Sequence, residues 1–254
     1  MHIDIVADTI CPWCYIGKRR FERALAERPD LDVTIEWRPY QLNPEMPYEG
    51  VTREEFIAEK PDGEDEVREN DQRAYIVGES EDLPFAFDLI ERVPNTVDSH
   101  RLIRWSHSQG VQNTVVEKLF ERYFMEGGDI GDPEVLLEIA DETGLDYDLV
   151  AELLDSEKDI EAIQEENLKF QEMGVTGVPC FIIDHKYVVM GAQEPETFLQ
   201  MFEQVEANLA EEAEGEEDDG DLPEAANDND GELFYVATTC LFIRAIGNDF
   251  PFIA

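Results

Sequence analysis

The sequence is poor in positive charge. Its 254 residues include 19 Lys and Arg against 61 Asp and Glu, which gives a formal net charge of −42. Binding to nucleic-acid phosphates or to an anionic membrane surface needs Lys and Arg, so the composition argues against both kinds of partner. A compact protein with this charge repels itself in dilute buffer, but 1 M salt shortens the screening length to about 3 Å. We therefore predict a cytoplasmic protein from a salt-loving organism.

Long apolar runs are also missing. None reaches the roughly 20 residues that a membrane-spanning helix needs. The first ten residues, MHIDIVADTI, have neither a basic region nor a long apolar core, so we predict no signal peptide. Hydrophobic residues nevertheless make up 43% of the chain, with regular spacing, and this excludes general disorder. The chain is long enough for one large globular domain or two modest ones.

Cysteine is scarce, with four in the whole chain: Cys11, Cys14, Cys180 and Cys240. Four are too few for a disulfide scaffold in a chain of this length, so the close pair indicates redox or metal chemistry. Cys180 lies in an apolar stretch and is expected to behave as a small hydrophobic residue. Cys240 is isolated and receives no predicted role.

The opening of the chain predicts a strand, a helix and a second strand. Residues 2–7 have the apolar pattern of a short strand, and Pro12 occupies a favoured position in the first turn of a helix over 12–28. Residues 31–38 alternate between apolar and polar, as in a half-buried strand. The first turn of this βαβ unit therefore carries the cysteine pair.

The middle of the chain, from 51 to 154, shows only helical patterns, and Thr52 with Glu55 predicts a capping box. A helix over 160–173, strands at 180–183 and 187–190, and a helix over 194–209 follow. Residues 1–50 and 155–210 thus form a predicted discontinuous α/β domain around the helical insertion. Residues 211–232 form a predicted acidic disordered linker. The apolar segment 233–254 has no assigned role.

The spacing of Cys11 and Cys14 favours thiol chemistry. A helix N-terminus presents unpaired N–H groups and the positive end of the helix dipole, and both favour a thiolate, the form that attacks a disulfide. Cys14 is one turn further on, where it can reach back to Cys11. Half of a zinc site is the alternative, but no second C-x-x-C or H-x-x-x-H follows. The remaining candidate ligands have no ligand-like spacing: His100, His107, His185 and Cys180. We therefore predict no metal and no cofactor.

Several segments together resemble the DsbA-like branch of the thioredoxin superfamily, in its FrnE-like subgroup. The matching segments are DTICPWCYIGKRR at 8–20, EWRPYQLNP at 36–44, Asn95-Thr96, His100-Arg101-Leu102 and GVTGVP at 174–179. The resemblance runs from about residue 3 to 209. It implies an α/β thioredoxin-like domain with an inserted all-helical subdomain that covers the active site.

The resemblance also implies site residues. Cys11 and Cys14 become the catalytic pair of a dithiol–disulfide oxidoreductase that acts on disulfide-containing proteins or small-molecule thiols. The bond between Val178 and Pro179 is expected to be cis, with the Val178 backbone pairing to a client. The full set of expected substrate-binding residues is Pro12, Trp13, His100, Val178 and Pro179. Asp8 has two interpretations: it helps the first turn or takes up protons, or it is an acidic surface residue, which is the default in this chain.

Two other functions stay open on the sequence, and so does the oligomeric state. The first is an isomerase or glutathione-transferase resembling the 2-hydroxychromene-2-carboxylate isomerases, which typically use a serine where Cys11 stands. The second is a client-binding holdase that uses the helical cap and the tail. The direction of electron transfer is not encoded in the Pro-Trp dipeptide, because related motifs span about −270 to −120 mV. The missing signal peptide favours a reductase or isomerase role.

Overall fold

The structure is a computed structural model that describes residues 1–60 and 63–217, with only the backbone of 211–217. Its strands are β1 (His2–Ala7), β2 (Thr34–Pro39), β3 (Val51–Thr52), β4 (Arg92–Val93), β5 (Cys180–Ile183) and β6 (Tyr187–Met190). Its helices are α1 (Pro12–Glu27), α2 (Arg53–Glu59), α3 (Gly63–Ser80), α4 (Val97–Ser106), α5 (Gln112–Phe124), α6 (Pro133–Glu142), α7 (Tyr147–Leu154), α8 (Ile160–Glu172) and α9 (Pro195–Glu217). Short 3₁₀ turns lie at Phe87–Leu89 and His107–Gln109.

The main sheet has the strand order β2-β1-β5-β6. β1 pairs parallel with β2 and antiparallel with β5, and β5 pairs antiparallel with β6. Both faces of β1 are buried, so five of its six residues are inaccessible, including the polar Asp4. Helices α2 to α8 are inserted between β2 and β5. The predicted fold class, α/β with an inserted helical segment, is confirmed.

The core divides at the sheet according to the alternation of side chains along the strands. Ile3 and Ile5 belong to the larger cluster, which continues into the inserted helices. Val6 and Cys180 belong to a smaller cluster with Phe170 of α8. The larger cluster also buries five aromatic residues: Phe21, Trp37, Phe85, Phe120 and Phe181.

The prediction of helical structure alone over 51–154 is wrong in one respect. Val51–Thr52 and Arg92–Val93 form a small antiparallel pair, with Val51 opposite Val93. Two-residue strands are too short to show a period in the sequence, so pattern analysis misses them. The capping box is confirmed, since the Thr52 side chain accepts from the Glu55 amide and the Glu55 carboxylate accepts from the Thr52 amide.

Two predicted boundaries differ from the structure by more than two residues. The second strand begins at Thr34 instead of residue 31. The last helix continues to Glu217, past residue 211 where the acidic linker is predicted to begin. The rest of that linker, the segment 233–254 and Cys240 lie outside the described residues. Within the described part of the chain, every helix is too short or too polar to cross a membrane.

Candidate active site

The cysteine pair lies at the start of α1, as predicted. Cys11 is the N-cap residue in extended conformation, Pro12 occupies the first turn, and the Cys14 amide donates to the Cys11 carbonyl at 3.0 Å. Cys11 is 5% and Cys14 1% exposed, and both are free thiols. The short strand-to-helix connection, in which the Cys11 amide donates to the Asp8 carbonyl at 3.1 Å, fixes this position.

The loop before β5 lies against Cys11. The Val178–Pro179 peptide is cis, as the resemblance implies. The Cys11 thiol lies 3.7 Å from the Val178 carbonyl oxygen and donates to it. Val178 is half-buried, and Pro179 is buried beneath it. The structure therefore brings together the cysteine pair and the proline loop, which are far apart in the sequence.

Gly17 allows this close approach and was missed by sequence reasoning. A Cβ atom at Gly17 would lie 2.8 Å from Pro179 Cγ and 3.5 Å from the nearest atom of Phe181. Glycine within a helix costs about 1 kcal/mol relative to alanine, so its presence inside α1 is the sequence signal that something packs closely there.

Pro12 is buried, whereas Trp13 is half-buried and links the motif to the inserted helices. The Trp13 indole N–H donates to the Asn70 side-chain oxygen on α3 at 2.9 Å. Ile10, Trp13 and Val178 are half-buried residues around Cys11. These three residues form a partly exposed apolar rim.

Cys14 lies deeper than Cys11 and resists ionisation. Burial raises its pKa well above the ordinary value, and the hydrogen bond with Cys11 and the charge of Cys11 add to this. The main-chain N–H of Asp8 bonds to the Cys14 sulfur and opposes the rise, while the Asp8 carboxylate reinforces it. Cys14 therefore stays protonated until a reaction at Cys11 changes its surroundings.

Asp8 is not the surface residue predicted from the acidic composition. It is fully buried, and its Oδ2 accepts from the Leu42 amide at 2.7 Å. Its Oδ1 has no hydrogen-bond partner and lies 3.4 Å from His100 Nε2. A cavity of about 10 Å³ adjoins Asp8 and His100 and can hold one water molecule. Its lining residues are Ala7, Asp8, Thr9, Trp37, Arg38, His100, Ile103, Val116 and Phe120.

His100 is 4% exposed, and its Nε2 also lies 3.2 Å from the Tyr40 carbonyl oxygen. It therefore lies beside Asp8, which is three residues before Cys11 in the chain. The site therefore contains a buried carboxylate with one unpaired oxygen beside an imidazole. No periodicity of the sequence marks Asp8, and the only signal is its position three residues before Cys11.

The reverse face of α1 is held by a buried charge cluster. Glu117 on α5 accepts hydrogen bonds from Tyr15 at 2.8 Å, from Lys18 at 2.5 Å and from Arg19 at 2.7 Å. Lys18 is only 2% exposed and also pairs with Glu22. Burial alone would raise the pKa of Glu117, but Lys18, Tyr15 and Arg19 outweigh it and lower the pKa. The helix that carries the cysteines is thus fixed to the inserted helices.

Metal-ligating geometry occurs away from the cysteines. Across residues 1–60 and 63–217, the one group of three or more His, Cys, Asp or Glu side chains close enough to share an ion is His2, Asp4 and His185. The paired thiols therefore have no such partners in that part of the chain.

The chain is similar to known proteins over most of its length. A family model described as a DSBA-like thioredoxin domain matches residues 2–203. An uncharacterized protein of Bacillus subtilis strain 168, YwbO, is 25% identical over 207 residues, which cover 78% of this chain and 94% of that protein.

Solved structures show the same architecture. A probable DsbA oxidoreductase from Streptomyces coelicolor has a TM-score of 0.73 at 25% identity, covering 90% of this chain and 94% of that one. A 2-hydroxychromene-2-carboxylate isomerase has a TM-score of 0.62 at 15% identity, covering 85% of this chain and 98% of that one. The second likeness shows the fold alone.

Proposed function

Because the chain belongs to the DSBA-like thioredoxin domain family, we propose that it is a dithiol–disulfide oxidoreductase that works through Cys11 and Cys14. Its substrates are disulfide-containing proteins or small-molecule thiols and disulfides. The observation that carries the proposal is the position of Cys11 at the N-terminus of α1, 3.7 Å from the carbonyl of the cis Val178–Pro179 peptide. Cys14 lies one turn further along α1, and its amide donates to the Cys11 carbonyl at 3.0 Å.

The first step is attack by the Cys11 thiolate on one sulfur of a client disulfide. A bond forms between Cys11 Sγ and that sulfur, the client S–S bond breaks, and the other client sulfur leaves as a thiolate. The N-terminus of α1 favours the negative charge on Cys11 before the attack. The Val178 backbone and the rim formed by Ile10, Trp13 and Val178 hold the client at this position.

The second step is attack by Cys14 on Cys11 Sγ, which releases the second client thiolate and leaves a Cys11–Cys14 disulfide. The client gains two electrons and the cysteine pair loses two. Cys14 must first lose its proton, and we propose that the buried carboxylate of Asp8, 3.4 Å from His100 Nε2, takes it. The proton passes to the departing thiolate through Asp8 or a water in the adjoining cavity. Run in reverse, the same steps oxidise a client dithiol.

We also infer the subgroup of the protein, its cellular environment and the direction in which it transfers electrons. The segments at 8–20, 36–44 and 174–179 support the FrnE-like subgroup. The net charge of −42 supports a cytoplasm rich in salt. A reducing cytoplasm favours work as a reductase or an isomerase of disulfides over work as a net oxidant.

The isomerase resembling 2-hydroxychromene-2-carboxylate isomerases is less well supported. Those enzymes typically carry a serine at the position of Cys11, and the likeness to their solved structure is at the level of fold. The intact pair, with Cys14 hydrogen-bonded to Cys11, has no function in such a reaction. Thiol–disulfide exchange uses both sulfurs.

Single serine variants assayed in molar KCl test the proposal. Cys11→Ser is expected to abolish insulin-disulfide reduction. Cys14→Ser is expected to react once with an aromatic disulfide and to stop as a stable mixed disulfide at Cys11, visible by mass spectrometry. Cys180→Ser is the matched control and is expected to retain activity, because Cys180 packs in the smaller core cluster.

Retention of full activity by Cys11→Ser would contradict the proposal. A wild-type protein that reduces no disulfide, and whose suppression of client aggregation is unchanged in Cys11→Ser, would favour the holdase function instead.

A further inference from the structure

A second group of chemically active side chains lies near the start of β1. His2 and Asp4 are two residues apart on one face of the strand, and His185 lies in the turn between β5 and β6. His2 Nε2 is 3.3 Å from Asp4 Oδ1, and His185 Nδ1 is 3.4 Å from Asp4 Oδ2. The three ligand atoms all lie within 4.8 Å of one another. Cys11 follows the other end of β1, so this group is separate from the redox site.

The backbone holds the two imidazoles in place. The His2 amide donates to Asp184 Oδ1 at 2.6 Å, and the Asp184 amide donates to the His2 carbonyl at 2.8 Å. Asp184 and His185 both have left-handed backbone conformation, with φ of 48° and 56°. Glycine or asparagine is usual at such turn positions, and a histidine there is strained. This strained turn places the centroid of the His185 ring 5.1 Å from the centroid of the His2 ring.

The charges around the group favour a cation. Asp4 is 5% exposed, and its Oδ1 accepts from Arg38 Nε at 2.6 Å. Arg38 is in turn shared with Glu36 and Glu166, at 2.8 and 3.1 Å. One guanidinium therefore faces three carboxylates, and its charge is more than balanced. Arg38 also fixes the orientation of the Asp4 carboxylate, as an outer partner does at metal sites.

We propose that His2, Asp4 and His185 bind a divalent transition-metal ion, with zinc as the expected ion. Two imidazoles and one carboxylate suit zinc, copper or nickel, whereas magnesium and calcium prefer oxygen ligands alone. Zinc–ligand bonds of about 2.0–2.1 Å in tetrahedral geometry place neighbouring ligand atoms about 3.3 Å apart. The His2 and His185 nitrogens lie 3.3 and 3.4 Å from different oxygens of the Asp4 carboxylate, and the three ligand atoms lie within 4.8 Å of one another. Rotation of these side chains is therefore enough to bring one oxygen and both nitrogens around a single ion.

Three protein ligands leave the fourth position to solvent, and the His185 side chain, 72% exposed, gives the ion an entry path. The ion would connect the start of β1 to the hairpin of β5 and β6. It would therefore stabilise one end of the central strands β1 and β5 and leave the thiol chemistry to Cys11 and Cys14. Spacing rules miss this group because its two histidines lie near opposite ends of the fold's sequence.

The test is zinc titration by calorimetry and thermal melting of the full chain carrying Cys11→Ser and Cys14→Ser, so that the paired thiols cannot bind zinc. Millimolar Mg²⁺ in the buffer occupies weak cation sites on the acidic surface, so that zinc does not bind there. We expect one zinc per chain and a rise in Tm of about 5–10 °C when zinc exceeds its Kd about 100-fold. Bound Cu²⁺ is expected to show nitrogen hyperfine splitting from imidazole in its electron paramagnetic resonance spectrum.

Two variants in this background decide the result. His185→Asn keeps a residue that tolerates the left-handed backbone but removes the imidazole, and His2→Gln keeps the backbone bonds to Asp184. Each is expected to weaken zinc binding roughly tenfold or more. His107→Asn, at an exposed histidine outside the group, is the control and is expected to bind normally. Equal zinc affinity in His185→Asn, His2→Gln and the parent, or the lack of a one-to-one site, would overturn the proposal.

Discussion

At the scale of single residues, the cysteines show how position decides chemistry. Cys180 follows Pro179 directly but pairs with Val6 in the register of β5 and β1, on the sheet face that Phe170 covers. It is fully buried, and burial raises its pKa to about 12. Such a thiol is inert and packs as a small hydrophobic residue, as its apolar sequence context predicts.

The raised pKa of Cys180 has a consequence for stability at alkaline pH. Below the unfolded value, near 9, both states hold the proton and the free energy of unfolding is unaffected. Between about 9 and 12 the unfolded chain loses the proton first, so stability falls as pH rises, by about 1.4 kcal/mol per pH unit. Urea unfolding of wild type and Cys180→Ala between pH 8 and pH 10.5 is expected to show the smaller decline in the variant.

The raised pKa of Cys14 lowers the free energy of unfolding at alkaline pH by a similar amount in both proteins. The difference between the two proteins therefore reports on Cys180. Cys180→Ala is expected to be less stable than wild type at pH 8 because it removes a buried sulfur. Parallel stability curves up to pH 10.5 would show that the Cys180 thiol is open to solvent.

At the scale of elements, the contact between α1 and the cis-proline loop sets the geometry of the site. A Cβ at Gly17 would overlap Pro179 at 2.8 Å. Gly17→Ala gains about 1 kcal/mol of helix propensity, but overpacking costs about 1–3 kcal/mol and moves Cys11 away from Val178. We expect insulin reduction to fall at least about tenfold, since a shift of about 1 Å costs up to 100-fold.

The matched control is Gly144→Ala. Gly144 has a φ of +78°, and no neighbouring atom lies within 4 Å of the position that a Cβ would take there. Alanine at this position therefore adds backbone strain without contact to the site, and it is expected to lower Tm and leave activity unchanged. Full activity in Gly17→Ala would mean that the loop and α1 can separate without cost.

The attachment of α1 to α5 gives another prediction at this scale. Glu117→Gln leaves Lys18 buried with only Glu22 for charge balance. Removing one partner of a buried ion pair lowers the free energy of unfolding by about 3–5 kcal/mol. For Glu117→Gln we expect a decrease of about 2–4 kcal/mol, because the Glu117 side chain is 21% exposed and Glu22 still pairs with Lys18. Urea unfolding at pH 7 in molar KCl measures this loss. Glu121→Gln, at a pair with the exposed Lys118, is expected to cost under about 0.5 kcal/mol.

The pH dependence of that cost follows from the lowered pKa of Glu117. Its ion pairs stabilise the fold fully at pH values above the pKa that Glu117 has in the unfolded chain, about 4.3. This stabilisation is lost as the pH falls through the lower pKa that Glu117 has in the folded protein. The stability difference between wild type and Glu117→Gln is therefore expected to shrink below about pH 4. A constant difference at all pH values would assign the loss to packing.

At the scale of the whole molecule, the net charge of −42 dominates. Repulsion among unpaired carboxylates opposes the compact state, and salt at molar concentration screens it to about 3 Å. We expect the Tm to rise from 0.05 M to 2 M KCl, with sucrose of equal osmolality giving a smaller rise. A Tm that falls steadily with KCl would contradict the halophilic assignment.

The sequence by itself determined the features that depend on local pattern. The strand His2–Ala7, the helix beginning at Pro12, and the hairpin strands Cys180–Ile183 and Tyr187–Met190 all lie where apolar periodicity and turn residues predict them. The cysteine pair at the helix start follows from the same local signals. The cis bond at Pro179 came from family resemblance, because neither composition nor spacing encodes it.

Only the tertiary structure decided which distant residues meet. Asp8 looks like one more acidic side chain until the fold buries it beside His100 and Cys14. Gly17 looks like a weak point of a helix until Pro179 packs on it. These assignments depend on contacts between segments far apart in the chain, and local propensity carries no information about such pairs because packing, not sequence spacing, brings them together.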